Sequence, residues 1–418
     1  MPISWLARLR TSLIAPLVVV ALAYGVVAYG YTKVWGDAGN PSSLIKLGQR
    51  YIGDGALLPE NANVRPETGY DGQFFFYFAQ DPLLQGKVAE RGDSASPYID
   101  TLAYRYQRIL LPALGWLTSA GDPDVLQWTL PLINLAAILG AGWLLARFLL
   151  RRGLSPWWSL LYMLSMGVVA GTVNDLADPL ATSLFIAGVV LWLEDRTAPA
   201  VAALSATLLA KETFLLPIAV ICGLELVRHR RAALAWTVPL AVWAAWQLYL
   251  RASIAKSPLS DDVARPGRIP FEGLARKVRE VLQVDVVGAA NWELMFLLML
   301  LLVWASYLIY ALRLVPELWR RRAWKRGAMP SREALLPVVA SAALALIPFL
   351  SVYFWRYPLD YSRYSASCAG LLLLSWGLRR DRWALGLAIA LFALSLVNPE
   401  IGLLPTRNGV TITPLPPG

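Results

Sequence analysis

The residues of this sequence best suited to chemistry are ionisable side chains at the ends of apolar segments. A polar motif, residues 70–73 (Tyr-Asp-Gly-Gln), stands directly before five consecutive aromatic residues, Phe74 to Phe78. Charge beside or within an apolar layer is costly, so a set of such residues on one side of it indicates a functional site. The set is Asp71, Arg105, Arg108, Asp175, Asp178, Lys211, Glu212, Arg356, Asp360 and Arg363.

These residue types suit the transfer of a sugar away from a phosphate. A carboxylate such as Asp71 can take a proton from a hydroxyl group as that hydroxyl attacks a carbon atom. Fixed cations bind the departing phosphate and supply the larger electrostatic contribution. We expect the aromatic residues after Asp71 to stack on a sugar face and to seat the loop at the depth of lipid headgroups.

Each candidate also has a structural interpretation, and the sequence leaves both open. Asp71 suits the N-cap of a short helix. Asp178, followed by Pro179, suits the start of a helix in the same way. Lys211 can extend its ammonium group from the end of an apolar helix towards water. The arginines of the segment 356–363 can bind lipid headgroups in place of one specific phosphate.

The composition indicates a helical membrane protein. Of the 418 residues, 57% are hydrophobic and 16% are charged, whereas soluble domains carry about 25% charged residues. Mean hydropathy is +0.50. Apolar runs predict an all-α fold with eleven membrane spans, of which the first is retained. They cover about residues 12–32, 126–149, 157–172, 177–193, 198–212, 213–227, 233–250, 291–312, 334–354, 364–378 and 383–398.

Basic residues predict the orientation of these spans. With the N-terminus inside, every basic cluster falls on inner loops, as the positive-inside rule requires. The net charge of +10 is therefore interpreted as a topology signal, and no nucleic-acid partner is expected. The clusters are Arg147, Arg151 and Arg152; Arg196; Arg228, Arg230 and Arg231; Arg320, Arg321, Arg322, Lys325 and Arg326; and Arg379, Arg380 and Arg382.

The predicted organisation is one transmembrane domain over residues 1–398, followed by a proline-rich tail over residues 399–418. Two long outer loops interrupt it, at residues 33–125 and 251–290. The first carries Asp71, and both contain amphipathic stretches that predict short interfacial helices. The cysteines, Cys222 and Cys368, both lie in apolar spans and indicate neither a disulfide framework nor a metal site.

The order of these elements resembles the GT-C class of integral membrane glycosyltransferases, which use polyprenyl-phosphate sugars at the non-cytoplasmic face. The resemblance covers roughly residues 10–250. In that class an essential acidic residue follows the first span, where residues 70–73 stand here. The segment 104–112 resembles the interfacial helices that precede the second span. Residues 165–179 resemble the crossing between the third and fourth spans, and residues 209–213 resemble the corner between the fifth and sixth.

This resemblance implies a role for each candidate residue. Asp71 is the expected catalytic base of a displacement that inverts the anomeric carbon. Lys211, Arg356 and Arg363 are expected to bind the donor phosphate. The first loop is expected to carry the lone Asp71 and no Asp-x-Asp or Glu-Asp pair, so no metal or other cofactor is indicated. The residues expected to bind substrate or to support the site are Tyr70, Gln73, Arg105, Arg108, Asp175, Asp178 and Glu212.

The expected partners are a polyprenyl-phosphate-linked sugar donor, a glycan or lipid acceptor, and membrane lipids. Abundant alanine and leucine, with more arginine than lysine, suggest a bacterial inner membrane, and the motif is similar to chains that build cell-surface polysaccharide. Three other functions stay open. A flippase or transporter would need a polar path across the bundle. A polysaccharide polymerase or ligase would use basic outer loops, as at residues 265–279. A non-catalytic assembly subunit is the third.

Overall fold

The protein is all-α, as the apolar periodicity predicts. The computed structural model describes residues 10–34, 37–52, 57–66, 69–85, 99, 101–228, 233–254, 269–283, 289–320, 330–345, 347–349, 355, 360, 363 and 365–396. Arg356 and the proline-rich tail lie outside the described residues, as do large parts of the predicted loop 251–290. Strand structure in the described part is a two-residue parallel pair, β1 (Leu47–Gly48) with β2 (Val64–Arg65).

The helices follow one another with short connections. In chain order they are α1 (Ile14–Val34), α2 (Ser42–Ile45), α3 (Gly72–Phe78), α4 (Leu102–Tyr106), α5 (Leu110–Ser119), α6 (Pro123–Arg151), α7 (Leu160–Met163), α8 (Met166–Thr172), α9 (Asp178–Leu193), α10 (Thr197–Ala210), α11 (Leu215–Arg228), α12 (Val238–Ile254), α13 (Glu272–Gln283), α14 (Ala289–Arg320), α15 (Arg332–Leu344), α16 (Ser365–Arg379) and α17 (Arg382–Leu396). Short 3-10 helices include Pro156–Ser159, Glu212–Phe214 and Ile347–Phe349.

Four stretches of the described helices are long and apolar enough to cross a membrane. They are Ile14–Val34, Pro123–Arg151, Leu294–Arg313 and Arg332–Phe349, by length and composition. The described part of the last stretch consists of α15 and the 3-10 helix Ile347–Phe349. The lengths of the described helices do not establish the predicted number of eleven membrane spans. Helices α9 and α10 are apolar but have 16 and 14 residues, and at about 1.5 Å per residue they fall short of a hydrocarbon layer about 30 Å thick. The predicted span 157–172 is divided into a 3-10 turn, α7 and α8.

Helix α9 forms the centre of the bundle. It packs against α6, α8, α10 and α16, and nearly all of its residues are buried. Two glycines permit close approach: a Cβ atom at Gly188 would lie 2.7 Å from a methyl carbon of Leu204, and one at Gly370 would lie 2.4 Å from Ile186. Small residues bring helices together in this way in membrane bundles. The central helix therefore has little freedom to shift.

The described residues between 37 and 122 lie at one end of the bundle, which we call the loop end. There α3 packs against α2, α5 and α6, and all of its residues are buried. The expectation that Phe74 to Phe78 contact lipid headgroups or a sugar is therefore wrong. Phe78 stacks on Tyr106 with ring centroids 4.0 Å apart, and Phe74 meets the edge of Tyr51 at 5.1 Å. Tyr106 of α4 thus joins the aromatic core formed by α3.

The opposite end, which we call the basic end, is held by a buried ion pair. Both oxygens of Glu225 accept hydrogen bonds from Arg332, each at 2.9 Å. The indole of Trp192 donates to the same carboxylate at 2.8 Å. Glu225 is fully buried. Since Trp192 lies on α9, Glu225 on α11 and Arg332 on α15, this contact joins three helices.

Replacing Glu225 with alanine is expected to destabilise the protein strongly, because Arg332 would keep a buried charge without its partner. Loss of one member of such a pair costs about 3–5 kcal/mol. The measurement is the thermal unfolding midpoint in detergent. Glu333→Ala is the control: this residue pairs with Arg152 at 3.1 Å, but its side chain is 53% exposed, so about 1 kcal/mol or less is expected. Equal midpoints for the two variants would contradict the importance of the buried pair.

Candidate functional site

Asp71 lies directly before α3 and faces Arg105. The Nη1 atom of Arg105 is 2.8 Å from Oδ1 of Asp71, and the Arg105 guanidinium lies 3.8 Å above the ring of Phe74. The Asp71 side chain makes no capping hydrogen bond to α3, so the N-cap interpretation does not describe it. Burial alone would raise the pKa of the Asp71 carboxyl, but the charges of Arg105 and Arg363 outweigh burial and hold that pKa below its usual value. Asp71 is therefore ionised at neutral pH.

Glycines on both sides fix the position of Asp71. Gly69 has a φ of 68°, in the left-handed region. A Cβ atom at Gly69 would lie 2.3 Å from the carbonyl oxygen of Lys46, and one at Gly72 would lie 2.3 Å from that of Asn174. The Gln73 side chain accepts a hydrogen bond from the Gly48 amide at 3.0 Å. The motif is thus clamped between the first strand and the turn before α9, and Gln73 supports the loop.

Tyr70 joins the motif to the segment before α16. Its hydroxyl donates to Asp360, and Asp360 also accepts from Nη2 of Arg363 at 2.7 Å. Burial raises the pKa of Asp360 in spite of the Arg363 charge beside it. Asp360 was recognised among the charged residues at the span ends but was not assigned a role. Its spacing of three residues from Arg363 is the sequence signal that could have paired them.

Asp178 lies between two cations. It accepts a hydrogen bond from the Lys211 ammonium, and its other oxygen is 3.5 Å from Nη1 of Arg363. The prediction that Asp178 caps α9 is wrong, because the N-cap residue is Ala177 and Asp178 is already helical. Proline does follow at the first turn, as expected. The Asp178 carboxylate points into the bundle, where it pairs with the buried cations Lys211 and Arg363, because buried charges are stable only when they are paired.

Lys211 and Glu212 point to different partners. Helix α10 ends at Ala210, and Lys211 has extended backbone angles. Whereas Lys211 contacts Asp178, Glu212 accepts two hydrogen bonds from Arg108, at 2.6 and 2.9 Å. Arg108 also donates to the Tyr104 hydroxyl at 2.6 Å. Tyr104 is not among the residues that the sequence predicts for the site, although its spacing of four residues from Arg108 on a predicted helix is a signal for this contact.

Nine of the eleven candidate site residues consequently meet in one area, which we call the charged network. Four carboxylates and four cations balance there. Its members are Tyr70, Asp71, Gln73, Tyr104, Arg105, Arg108, Asp178, Lys211, Glu212, Asp360 and Arg363. The predicted grouping on one side of the bundle therefore corresponds to direct contacts at the loop end. Arg356 lies outside the described residues, and its predicted role stays a prediction.

Asp175 is the exception among the described candidates. It is fully buried and has a φ of 46°, but neither carboxylate oxygen has a hydrogen-bond partner among the described residues. Burial raises the pKa of this carboxyl well above its usual value. The neighbouring Asn174 instead accepts a hydrogen bond from the Tyr31 hydroxyl at 3.1 Å. Asp175 is thus not joined to the charged network by a hydrogen bond in the described part of the chain.

A small cavity, partly open to solvent, adjoins the network. Three hydroxyl side chains and two cations face it together with one carboxylate, and apolar side chains complete its wall. The lining residues are Asp178, Thr182, Lys211, Thr213, Phe214, Pro217, Ala343, Arg363 and Ser367. The Nε atom of Arg363 is buried without a hydrogen-bond partner among the described residues. An unsatisfied cationic donor beside a cavity is suited to an anion.

The expectation that the first loop lacks an Asp-x-Asp pair is wrong, because Asp122 and Asp124 have this spacing. Asp122 caps α6 by accepting from the amides of Asp124 and Val125. Asp124 accepts from the amide of Glu60 at 2.8 Å. Both contacts are structural. Among the residues that the structure describes, no group of three or more His, Cys, Asp or Glu side chains could hold a metal ion.

Comparison of the chain with protein-family models, with curated proteins and with solved structures found no match. Chemically, the site combines an ionised carboxylate, Asp71, with a cavity that presents two cations, Lys211 and Arg363. The Asp71 carboxylate can accept a proton, and Lys211 and Arg363 can bind an anionic oxygen. Arg105 and Arg108 pair with Asp71 and Glu212 and do not line the cavity, so they are better placed to hold the loop than to bind substrate.

Replacing Gly72 with alanine is expected to lower the thermal unfolding midpoint clearly, because its Cβ atom would overlap the Asn174 carbonyl, a backbone atom that cannot turn aside. Gly30→Ala is the matched control, since no atom lies within 4 Å of a Cβ built there. That change lies inside α1 and should be neutral or slightly stabilising. If Gly72→Ala unfolds at the same temperature as Gly30→Ala, the close backbone contact at Gly72 does not fix the position of Asp71.

Proposed function

We propose that this protein is a membrane glycosyltransferase of the GT-C type that moves a sugar from a polyprenyl-phosphate donor to a glycan or lipid acceptor. The observation that carries the proposal is the charged network itself. It brings an ionised loop carboxylate, Asp71, together with a cavity that presents the cations Lys211 and Arg363. A base and an anion site on one end of a bundle of apolar helices suit transfer from a lipid-linked phosphate.

The proposed donor phosphate lies in the cavity. Lys211 and Arg363 would bind its oxygens, with hydroxyl groups from Thr182, Thr213 and Ser367 at the same wall. Arg363 is 8% exposed and Lys211 is 4% exposed, so their charges act in a medium less polar than water. Apolar lining residues such as Phe214 and Pro217 are suited to the first isoprenoid units of the lipid.

The proposed reaction is a direct displacement with inversion. The acceptor oxygen forms a bond to the anomeric carbon, and the bond from that carbon to the phosphate oxygen breaks, with its electron pair leaving on the phosphate. The acceptor proton passes to Asp71. Arg105 holds the Asp71 carboxylate in place, and the cavity cations stabilise the charge on the departing phosphate. No step needs a metal, and none is assigned.

The proposed membrane arrangement is the one expected from the basic clusters. Eleven segments cross the bilayer, the N-terminus is cytoplasmic, and the charged network faces the periplasm of a bacterial inner membrane. Support comes from the distribution of charge. The described ion pairs of the basic end contain five arginines and four carboxylates, whereas the network at the loop end has equal numbers of carboxylates and cations.

The Asp71→Asn variant should lose at least about 100-fold in transfer rate, the usual contribution of a general base, while donor binding stays within a few-fold. The assay uses purified chain with a polyprenyl-phosphate sugar and scores glycosidic product and bound donor separately. Asp122→Asn is the control, because it is an exposed carboxylate of the same loop and asparagine also caps helices. Product formation by Asp71→Asn at the rate of the control variant would show that Asp71 is not the catalytic base. Donor movement across vesicles without any product would favour a flippase.

Single-cysteine labelling tests the orientation. The native cysteines are buried, so background labelling should be low. Glu60→Cys, at the loop end, is expected to react with an impermeant maleimide in intact cells or spheroplasts. Ala198→Cys, on the predicted inner side, should react only after the membrane is opened. Both positions are exposed. The reverse pattern would place the network on the cytoplasmic face and would exclude the proposed site of transfer.

A further inference from the structure

Asp178 occupies the position in the cavity where an anion would bind. Its carboxylate contacts both Lys211 and Arg363, and it is itself a lining residue. It is 6% exposed. Asp360, the second carboxylate on Arg363, does not line the cavity. Two positive groups and one negative group thus face the empty space, and the lining carries a net charge of +1.

This charge matters because the two phosphates in the proposed reaction differ in charge. A lipid-linked sugar phosphate is a phosphodiester with one negative charge. When the sugar leaves, the remaining lipid phosphate is a monoester, which carries about −1.5 to −2 at pH 7. A net charge of +1 on the cavity lining is balanced by the single negative charge of the donor phosphate, but not by the higher negative charge of the product phosphate. In a medium of low polarity, the unbalanced charge is repelled by the fixed carboxylate.

We propose that Asp178 sets the charge selectivity of the cavity, so that it prefers a phosphodiester monoanion to a phosphomonoester dianion. The inference rests on the proposed function, since it assigns the donor phosphate to this cavity. Asp178 is then a specificity-determining residue. It lets the cations bind the donor, and it promotes release of the lipid phosphate after transfer. Without this carboxylate the lining would carry +2 and would retain the product.

The test measures binding of two probes to the full-length chain in maltoside micelles, which contain no phosphate. The probes are a short-chain polyprenyl phosphate and its methyl diester, titrated by calorimetry at pH 8 and low salt. Wild-type protein should bind the diester at least as tightly as the monoester. Asp178→Asn should strengthen binding of the monoester relative to the diester, so that the ratio of their dissociation constants changes roughly tenfold. Asp178→Glu, which keeps the charge, should keep the wild-type ratio.

A second variant guards against misfolding of Asp178→Asn. Lys211→Gln lowers the charge of the cavity lining to zero. It should weaken binding of the monoester about tenfold more than binding of the diester. In the double variant Asp178→Asn with Lys211→Gln, the lining returns to +1 and the ratio should return towards that of wild type. A ratio that stays constant across folded variants overturns the role of Asp178 but leaves the phosphate site standing. If neither probe binds to wild type or to any variant, the proposed phosphate site fails, and this inference fails with it.

Discussion

The contact of Asp178 with Lys211 and Arg363 is the constraint on which the loop end depends. Three separated parts of the chain meet there: the start of α9, the corner after α10, and the segment before α16. Each brings a group that is more than nine-tenths buried. Such charges are tolerated only when they are paired. The three elements must therefore keep their relative positions, and those positions define one wall of the cavity.

The catalytic candidate is positioned by packing more than by charge. Asp71 is attached to α3, whose side chains fill the core beneath the loop. Gly69 and Gly72 bring the backbone of the motif against the Lys46 and Asn174 carbonyls. Arg105 then pairs with the carboxylate from above. A rigid support of this kind holds a reacting group in place at little further cost in conformational entropy.

The two ends of the bundle share the same helices. Helix α9 begins with Asp178 at the charged network and carries Trp192, near its other end, to the Glu225 carboxylate. Helix α11 begins at Leu215, lines the cavity with Pro217 and carries Glu225 itself. A displacement of either helix would disturb buried polar contacts at both ends at once. The interior of the bundle is therefore held from both sides, which favours a preformed cavity over one assembled on binding.

The class of fold and the identities of most residues at the loop end follow from the amino-acid sequence alone. Hydropathy and the basic clusters depend on composition along the chain, and so they predict helices and one-sided charge without tertiary information. Asp71, Arg105, Arg108, Asp178, Lys211, Glu212 and Arg363 were all selected in this way. The pairing of these residues was decided only by the tertiary structure, since partners such as Asp178 and Arg363 are 185 residues apart. Burial was also a tertiary property. Five consecutive aromatic side chains look the same in sequence whether they meet lipid, sugar or other helices, and the fold placed them in the core because α2, α5 and α6 pack against α3.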